Sequence, residues 1–215
     1  MITGDVHVSS DDVWMRSGIG MLLHAAGWPR PRESVPAALL YEAERGRACA
    51  LTVCHLPREL GPMMDALWSL SVLAGHGDDA GRMVVLTAAP AGWVHATLSG
   101  LLQESRARVR LTVLPETADS GMLLRAVNGV HLRSGTGCRG PFGVLTRPEV
   151  AALADLLVRR LDCREQAEMK GLPDGWQRRV LHGAMRKVGV FSVRQLLCWR
   201  PERCYARRSM TEKTP

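Results

Sequence analysis

The chain has 215 residues, of which 46% are hydrophobic and 23% charged, and a formal net charge of +7. Apolar content and length of this order exclude wholesale disorder and leave room for one large or two small packed domains. No stretch approaches about 18 uninterrupted apolar residues, and Met1 to Asp5 has no basic segment ahead of an apolar run. Neither a membrane span nor a signal peptide is therefore expected, and the expected location is the cytoplasm. Six cysteines (49, 54, 138, 163, 198 and 204) form no CxxC and no metal-type spacing with the seven histidines. They read as reduced thiols, with no metal and no cofactor expected.

Charge is unevenly placed. Met1 to Val144 holds 13 Arg, no Lys and 13 acidic residues, whereas Leu145 to Pro215 holds 15 basic against 8 acidic ones. A neutral body with a basic end predicts two domains, the second facing a polyanion, most often nucleic acid. A solvated basic tail is the plainer alternative.

In chain order, the first part alternates short β-branched runs with amphipathic stretches, the pattern of a parallel sheet wound with helices. Val6-His7-Val8, Ala48 to Cys54, Met83 to Thr87 and Val109 to Leu114 are predicted strands, with a weakly signalled one around Pro31 to Val35. Trp14 to Ala26, with apolar residues at 14, 15, 19, 21, 22 and 23, Pro62 to Ala74, Trp93 to Leu102 and Ser120 to Val130 carry helical periodicity. This gives a doubly wound α/β domain of five βα units over residues 1–131. Residues 132–144, with four glycines and a proline, read as a linker.

From 145 to 200 the sequence is all helical, and 201–215 is a polar tail. Thr146 with Glu149 forms a capping-box pattern ahead of Pro148 to Leu161. Cys163 to Lys170 stops at Gly171, Asp174 to Val188 stops at Gly189, and Ser192 caps a last helix to Trp199. Cys163 to Lys170, the turn Gly171-Leu172-Pro173 and Asp174 to Val188 have the proportions of a helix-turn-helix. At 100° per residue, Leu181, Ala184, Met185 and Val188 share one face of the last of these, and Arg178, Arg179, His182 and Arg186 the other. Arginine can bond guanine O6/N7 in two places and can also hold phosphates, so this face suits both base reading and positioning. An ordinary surface helix with a solvated charged face is the alternative.

Residues 145–199 resemble the LuxR/NarL-type helix-turn-helix domain. The resemblance rests on Leu145-Thr146 with Glu149, on Arg164-Glu165-Gln166-Ala167-Glu168 before Gly171, on Gly175, and on Arg186-Lys187-Val188-Gly189-Val190 followed by Ser192 and Gln195. It implies that Arg178, Arg179 and His182 face base edges, that Trp176 and Lys187 approach the DNA backbone, and that the last helix dimerises through Val193, Leu196, Leu197 and Trp199. The chain departs from the family by one extra residue between Glu149 and Leu161, and by Gln166, Lys170 and Gln177 where aliphatics are usual. Trp176 and Gly183 replace small or polar contact residues. A buried Gln or Lys left unpaired would cost a few kcal/mol, so these three are expected to find partners or to sit in a shifted register.

Five βα units ahead of such a domain resemble the receiver of a response regulator. Aligning Gly18-Ile19 with the Gly-Ile of that subfamily puts Ser10 and Asp11 at the metal-binding acidic pair. Thr52-Val53-Cys54-His55-Leu56-Pro57 then puts Val53 at the phosphoacceptor position, Thr87 at the switch threonine and Pro115 where a lysine should stand. The first lysine of the chain is Lys170, so no alignment of the first domain can supply that lysine. Phosphoryl transfer requires a carboxylate nucleophile, a divalent cation and a cation for the developing charge, and the resemblance is to a receiver that has lost this chemistry. There is no GxGxxG or GxxxxGK[ST] for nucleotide binding. Cys54-His55 reads as a buried small thiol beside a chance histidine, in preference to a redox or ligand switch. Cys198 and Cys204 could meet as a stress disulfide, which a cytosolic location disfavours.

The expected protein is thus an atypical regulator similar to the RcsA-like accessory regulators, a pseudo-receiver followed by a LuxR-type helix-turn-helix. It would bind double-stranded DNA independently of phosphorylation, as a homodimer or with a LuxR-family response regulator. The rival expectation is a non-DNA-reading interaction partner, an anti-activator of such a regulator. An α/β enzyme is not expected.

Overall fold

The computed structural model describes residues 4–44, 49–75, 81–130 and 142–199. The expected tail and residues 132–141 of the expected linker lie outside the described residues.

Five parallel strands, β1 (Val6–Ser9), β2 (Arg32–Ser34), β3 (Leu51–His55), β4 (Arg82–Thr87) and β5 (Arg110–Pro115), form one sheet in the order β2-β1-β3-β4-β5. The helices between them are α1 (Val13–Ala25), α2 (Leu39–Glu44, after a 3-10 turn at Pro36–Ala38), α3 (Leu60–Gly75), α4 (Ala91–Glu104) and α5 (Ser120–Val127). The strand order reverses between β1 and β3, the switch point where doubly wound folds open a crevice at the carboxyl ends of their strands. Period 2 sorts the strand side chains. Val6, Val8, Leu51, Val53, Val84 and Leu86 bury with Ile19, Leu23 and Leu123 on the α1/α5 side. Cys54, Met83 and Val85 bury with the α2, α3 and α4 side.

Caps fix where the helices begin. Asp12 accepts from the Trp14 and Met15 amides at 2.8 and 3.1 Å, and Asp119 accepts from Met122 at 2.7 Å. Of the six apolar α1 positions, Ile19 and Leu23 are buried, whereas Trp14 and Met21 are 85% and 75% exposed.

Four further helices follow: α6 (Arg147–Leu157), α7 (Cys163–Lys170), α8 (Asp174–Lys187) and α9 (Val193–Leu197). The expected capping box is present, with Glu149 Oε2 accepting from the Thr146 amide at 2.7 Å and from its hydroxyl at 2.9 Å. α6 stops four residues before its expected end at Leu161. Arg160 then adopts a φ of 61°, and the Leu161 amide returns to the Asp155 carbonyl at 3.0 Å. Gly171, at φ 61°, closes α7 and turns the chain into α8; without a Cβ it takes the left-handed conformation at little cost.

The two parts share one apolar core. α6 lies on α3, and a Cβ on Gly61 would stand 2.7 Å from that of Leu157, so the two helices approach closely there. Trp93 of α4, Phe142 and Trp199 pack as a triad with ring centroids 5.2, 5.9 and 6.4 Å apart, and Trp93 Nε1 donates to the Gly143 carbonyl at 2.9 Å. Aromatic pairs of this kind add about 0.5–1.5 kcal/mol each beyond their buried area. At the other end of the contact Arg159 bridges Asp155 of α6 and Asp65 of α3. Two expectations are corrected here. Phe142 and Gly143, expected as linker, are packed. Leu196 and Trp199, expected on an exposed dimerising face, are 1% and 3% exposed because that side of α9 covers the shared core.

Candidate nucleic-acid interface

α8 is amphipathic as its wheel predicts. Leu181, Ala184, Met185 and Val188 are buried, while Arg178, Arg179, His182 and Arg186 are exposed. None of the four makes an ion pair with another described residue. Elsewhere in the same helical unit Arg159 pairs with Asp155 and Asp65, Arg164 with Glu168, Lys170 with Asp155 and Lys187 with Glu149. Three acids of this unit, Glu149, Asp155 and Glu168, are thus directed at other cations, Asp162 and Glu165 cap α7 through backbone amides, and the four basic side chains of α8 form a strip without an ion pair. At surface exposure such a strip attracts phosphates through its summed field.

The three unusual polar residues find partners. Gln177 Nε2 donates to Gln166 Oε1, and Gln166 Nε2 donates to the carbonyls of Leu161 and Ala152 at 2.9 and 3.3 Å. These two glutamines, 1% exposed, join α7 to α8 across the turn. Lys170 Nζ lies 2.7 Å from Asp155 Oδ2. Lys187, expected at the DNA backbone, is instead held by Glu149 at 2.7 Å, with its stem against Gly143. Trp176, expected there too, is half-buried in a cleft against α3 and α6. Of the expected dimerising residues, Val193 and Leu197 are exposed, and Phe191, 80% exposed, lies beside them. No periodicity marks Phe191, because a single apolar residue between Gly189 and a cap has no period.

At the carboxyl edge of the sheet the expected receiver positions are rearranged. Val53 is fully buried among Val6, Val8 and Leu51 and pairs with Val8, so it cannot stand at the edge. The residue at the end of β3, level with Ser10 and two positions beyond Val53, is His55. Its Nδ1 is 3.1 Å from Ser10 Oγ, and its Nε2 is 3.6 Å from Glu116 Oε2, which in turn binds Arg58. Arg16 Nη1 donates to the Ser10 carbonyl at 2.6 Å. Thr87 is buried and its hydroxyl accepts from the Ala89 amide at 3.0 Å, while Pro115 is exposed. Asp11 is exposed as a residue, yet partial burial of its carboxyl raises its pKa, opposed by His55 and Arg16. This edge holds the carboxylates of Asp11, Glu59 and Glu116 together with Arg16, Arg58 and His55. Among the described residues no three His, Cys, Asp or Glu side chains group as metal ligands. Burial pushes the Cys54 thiol up to about 12, so it is a neutral core residue.

No family model matches the chain, and no curated protein sequence does. Solved structures do. RcsB from Salmonella enterica serovar Typhimurium, bound to promoter rprA with the phosphomimetic BeF3−, superposes with a TM-score of 0.55 at 14% identity. The alignment covers 92% of this chain and 97% of that one. A structure of two RcsB dimers bound to two parallel DNAs gives 0.56 at 16% identity, covering 93% and 100%. The complex of the two-component response regulator RcsB with DNA gives 0.51 at 15%, covering 92% and 98%. Over nearly its whole length the chain thus has the fold of these response regulators. Among the described residues no helix is long and apolar enough to cross a membrane.

Proposed function

We propose that this chain is a DNA-binding transcriptional regulator of LuxR/NarL type, not an enzyme, that acts in the cytoplasm without phosphorylation. The exposed strip Arg178, Arg179, His182 and Arg186, which makes no ion pair, carries the reading, in a unit where Glu149, Asp155 and Glu168 are each paired with other cations. The helix-turn-helix of α7 and α8 would lay this strip in the major groove, with α6 and α9 bracing it. Residues 1–131 act as a pseudo-receiver. A phosphoryl group would meet His55, Arg16 and Arg58 at the sheet edge, and no carboxylate nucleophile at β3. The DNA complexes of the RcsB structures support the same docking.

The regulator works as a homodimer or with a LuxR-family response regulator, through the exposed Phe191, Val193 and Leu197. The rival, an anti-activator that touches no bases, is favoured by one observation. Trp14 and Met21 expose a second apolar surface on α1, of the kind that marks a protein contact. Selection of bound sequences from a random DNA pool separates the two. Wild type should enrich a defined motif, and Arg179→Ala should relax one base position, a loss of about 1–3 kcal/mol. No enrichment by wild type, alone or with co-expressed response regulators, would leave only the anti-activator.

A further inference from the structure

The cleft that takes in Trp176 has a volume of about 290 Å³ and lies where α3 and α4 meet α6, α7 and α8. Its lining includes Trp68 of α3, Trp176 and Gln177 of α8, Arg147 of α6 and Lys170 of α7, with Glu104 on the exposed rim. Three features set it apart from a packing gap. The Arg147 guanidinium sits 4.9 Å from the centre of the Trp68 ring and has no acidic partner among the described residues, unlike Lys170 beside it. Two half-buried indoles, one from each part of the chain, leave ring surface in the cleft. Gln177, 1% exposed, has an Oε1 that no donor reaches, in a protein where its amide nitrogen is satisfied.

We propose that this cleft binds a small planar aromatic carboxylate. The ring lies against the indoles, as apolar and aromatic surface favours. The carboxylate gives Arg147 the anion it lacks, a planar two-point match between guanidinium and carboxylate. A ring N–H or O–H faces the Gln177 amide. The volume is near the lower end for ligand pockets and suits one or two rings. A ligand here touches α3 and the first turn of α8 at once, adding to the contacts of the shared core. The inference does not depend on DNA reading, because binding is measured without DNA.

Isothermal titration of the full chain with salicylate and indole-3-acetate, each against its neutral amide, salicylamide and indole-3-acetamide, tests it. At least one acid should bind saturably and about tenfold more tightly than its amide, the factor of one well-made charged contact. Arg147→Gln should remove that preference and leave the amide's affinity unchanged. Trp68→Ala should weaken acid and amide alike, with circular dichroism confirming the fold of both variants. Absence of saturable binding by either acid, equal binding of acid and amide, or binding indifferent to both substitutions would overturn the proposal.

Discussion

Lys187 offers a quantitative test, because sequence pattern and geometry assign it opposite duties. A lysine at the DNA backbone would be free in the unbound protein and would add about 0.9 to the salt slope of binding. In the structure its ammonium lies 2.7 Å from Glu149 Oε2, with side-chain exposures of 34% and 10%. Exposed pairs are worth about 0.2–1 kcal/mol, and breaking a fully buried one costs about 3–5. This pair lies between those limits, and Glu149 would keep its two bonds to Thr146. Lys187→Met, which retains the stem, is therefore expected to cost about 1–2 kcal/mol. Lys187→Ala should cost about 1 kcal/mol more, because the stem against Gly143 is lost as well. Adding Glu149→Gln to Lys187→Met should recover much of the first loss, a coupling of about 1 kcal/mol. Urea denaturation reads these values. In DNA binding, Lys187→Met should leave the salt slope unchanged, since the pair is internally neutral. Unchanged stability together with a slope lowered by about one unit would refute the assignment and return Lys187 to the phosphates.

Other consequences are as direct. Gly61→Val drives two methyl groups into Leu157 where a single Cβ would already stand at 2.7 Å, so the variant should lose about 1–3 kcal/mol or part α3 from α6. Denaturation and small-angle scattering would register one or the other. With its thiol pushed up to about 12, Cys54 should carry thiolate in only about one molecule in ten thousand at pH 8 and resist iodoacetamide, whereas the exposed Cys198 is alkylated well before it in peptide mapping. For Cys54 the folded protein holds its proton more tightly than the unfolded chain. Its effect is therefore nil below pH 9, and stability falls as pH rises from 9 towards 12, which a pH series of melting temperatures would follow.

Much of this architecture is legible in the sequence, and the failures are physical. Strands such as Met83 to Thr87 announce themselves because both faces are buried and the run is continuously apolar. The three-residue β2 at the sheet edge has no such run. The Thr-x-x-x-x-Pro spacing that fits a receiver puts Val53 at the phosphoacceptor position. The real edge residue is His55, two positions on. A slip of one residue would have reversed the burial pattern; a slip of two leaves every side chain on its own face and is invisible to periodicity. The Gln166–Gln177 pair was readable only as a need, two polar residues at apolar positions, since their meeting depends on the turn at Gly171. Leu196 and Trp199 looked exposed because the apolar face of a short helix does not say what covers it. Trp199 is covered in part by Trp93, more than 100 positions away.

The α8 strip is proposed to bind DNA with no help from phosphorylation. Fluorescence anisotropy on a selected duplex, across a series of salt concentrations and with or without beryllofluoride and Mg²⁺, tests it most directly. Wild type should show the same affinity and slope in both conditions. An Arg178→Ala/Arg179→Ala/Arg186→Ala variant of intact fold should lose the slope of up to three phosphate contacts, about 0.9 each, together with its preference for the selected sequence. A beryllofluoride-dependent gain in affinity by wild type, or full sequence-selective binding by the triple variant, would contradict the account.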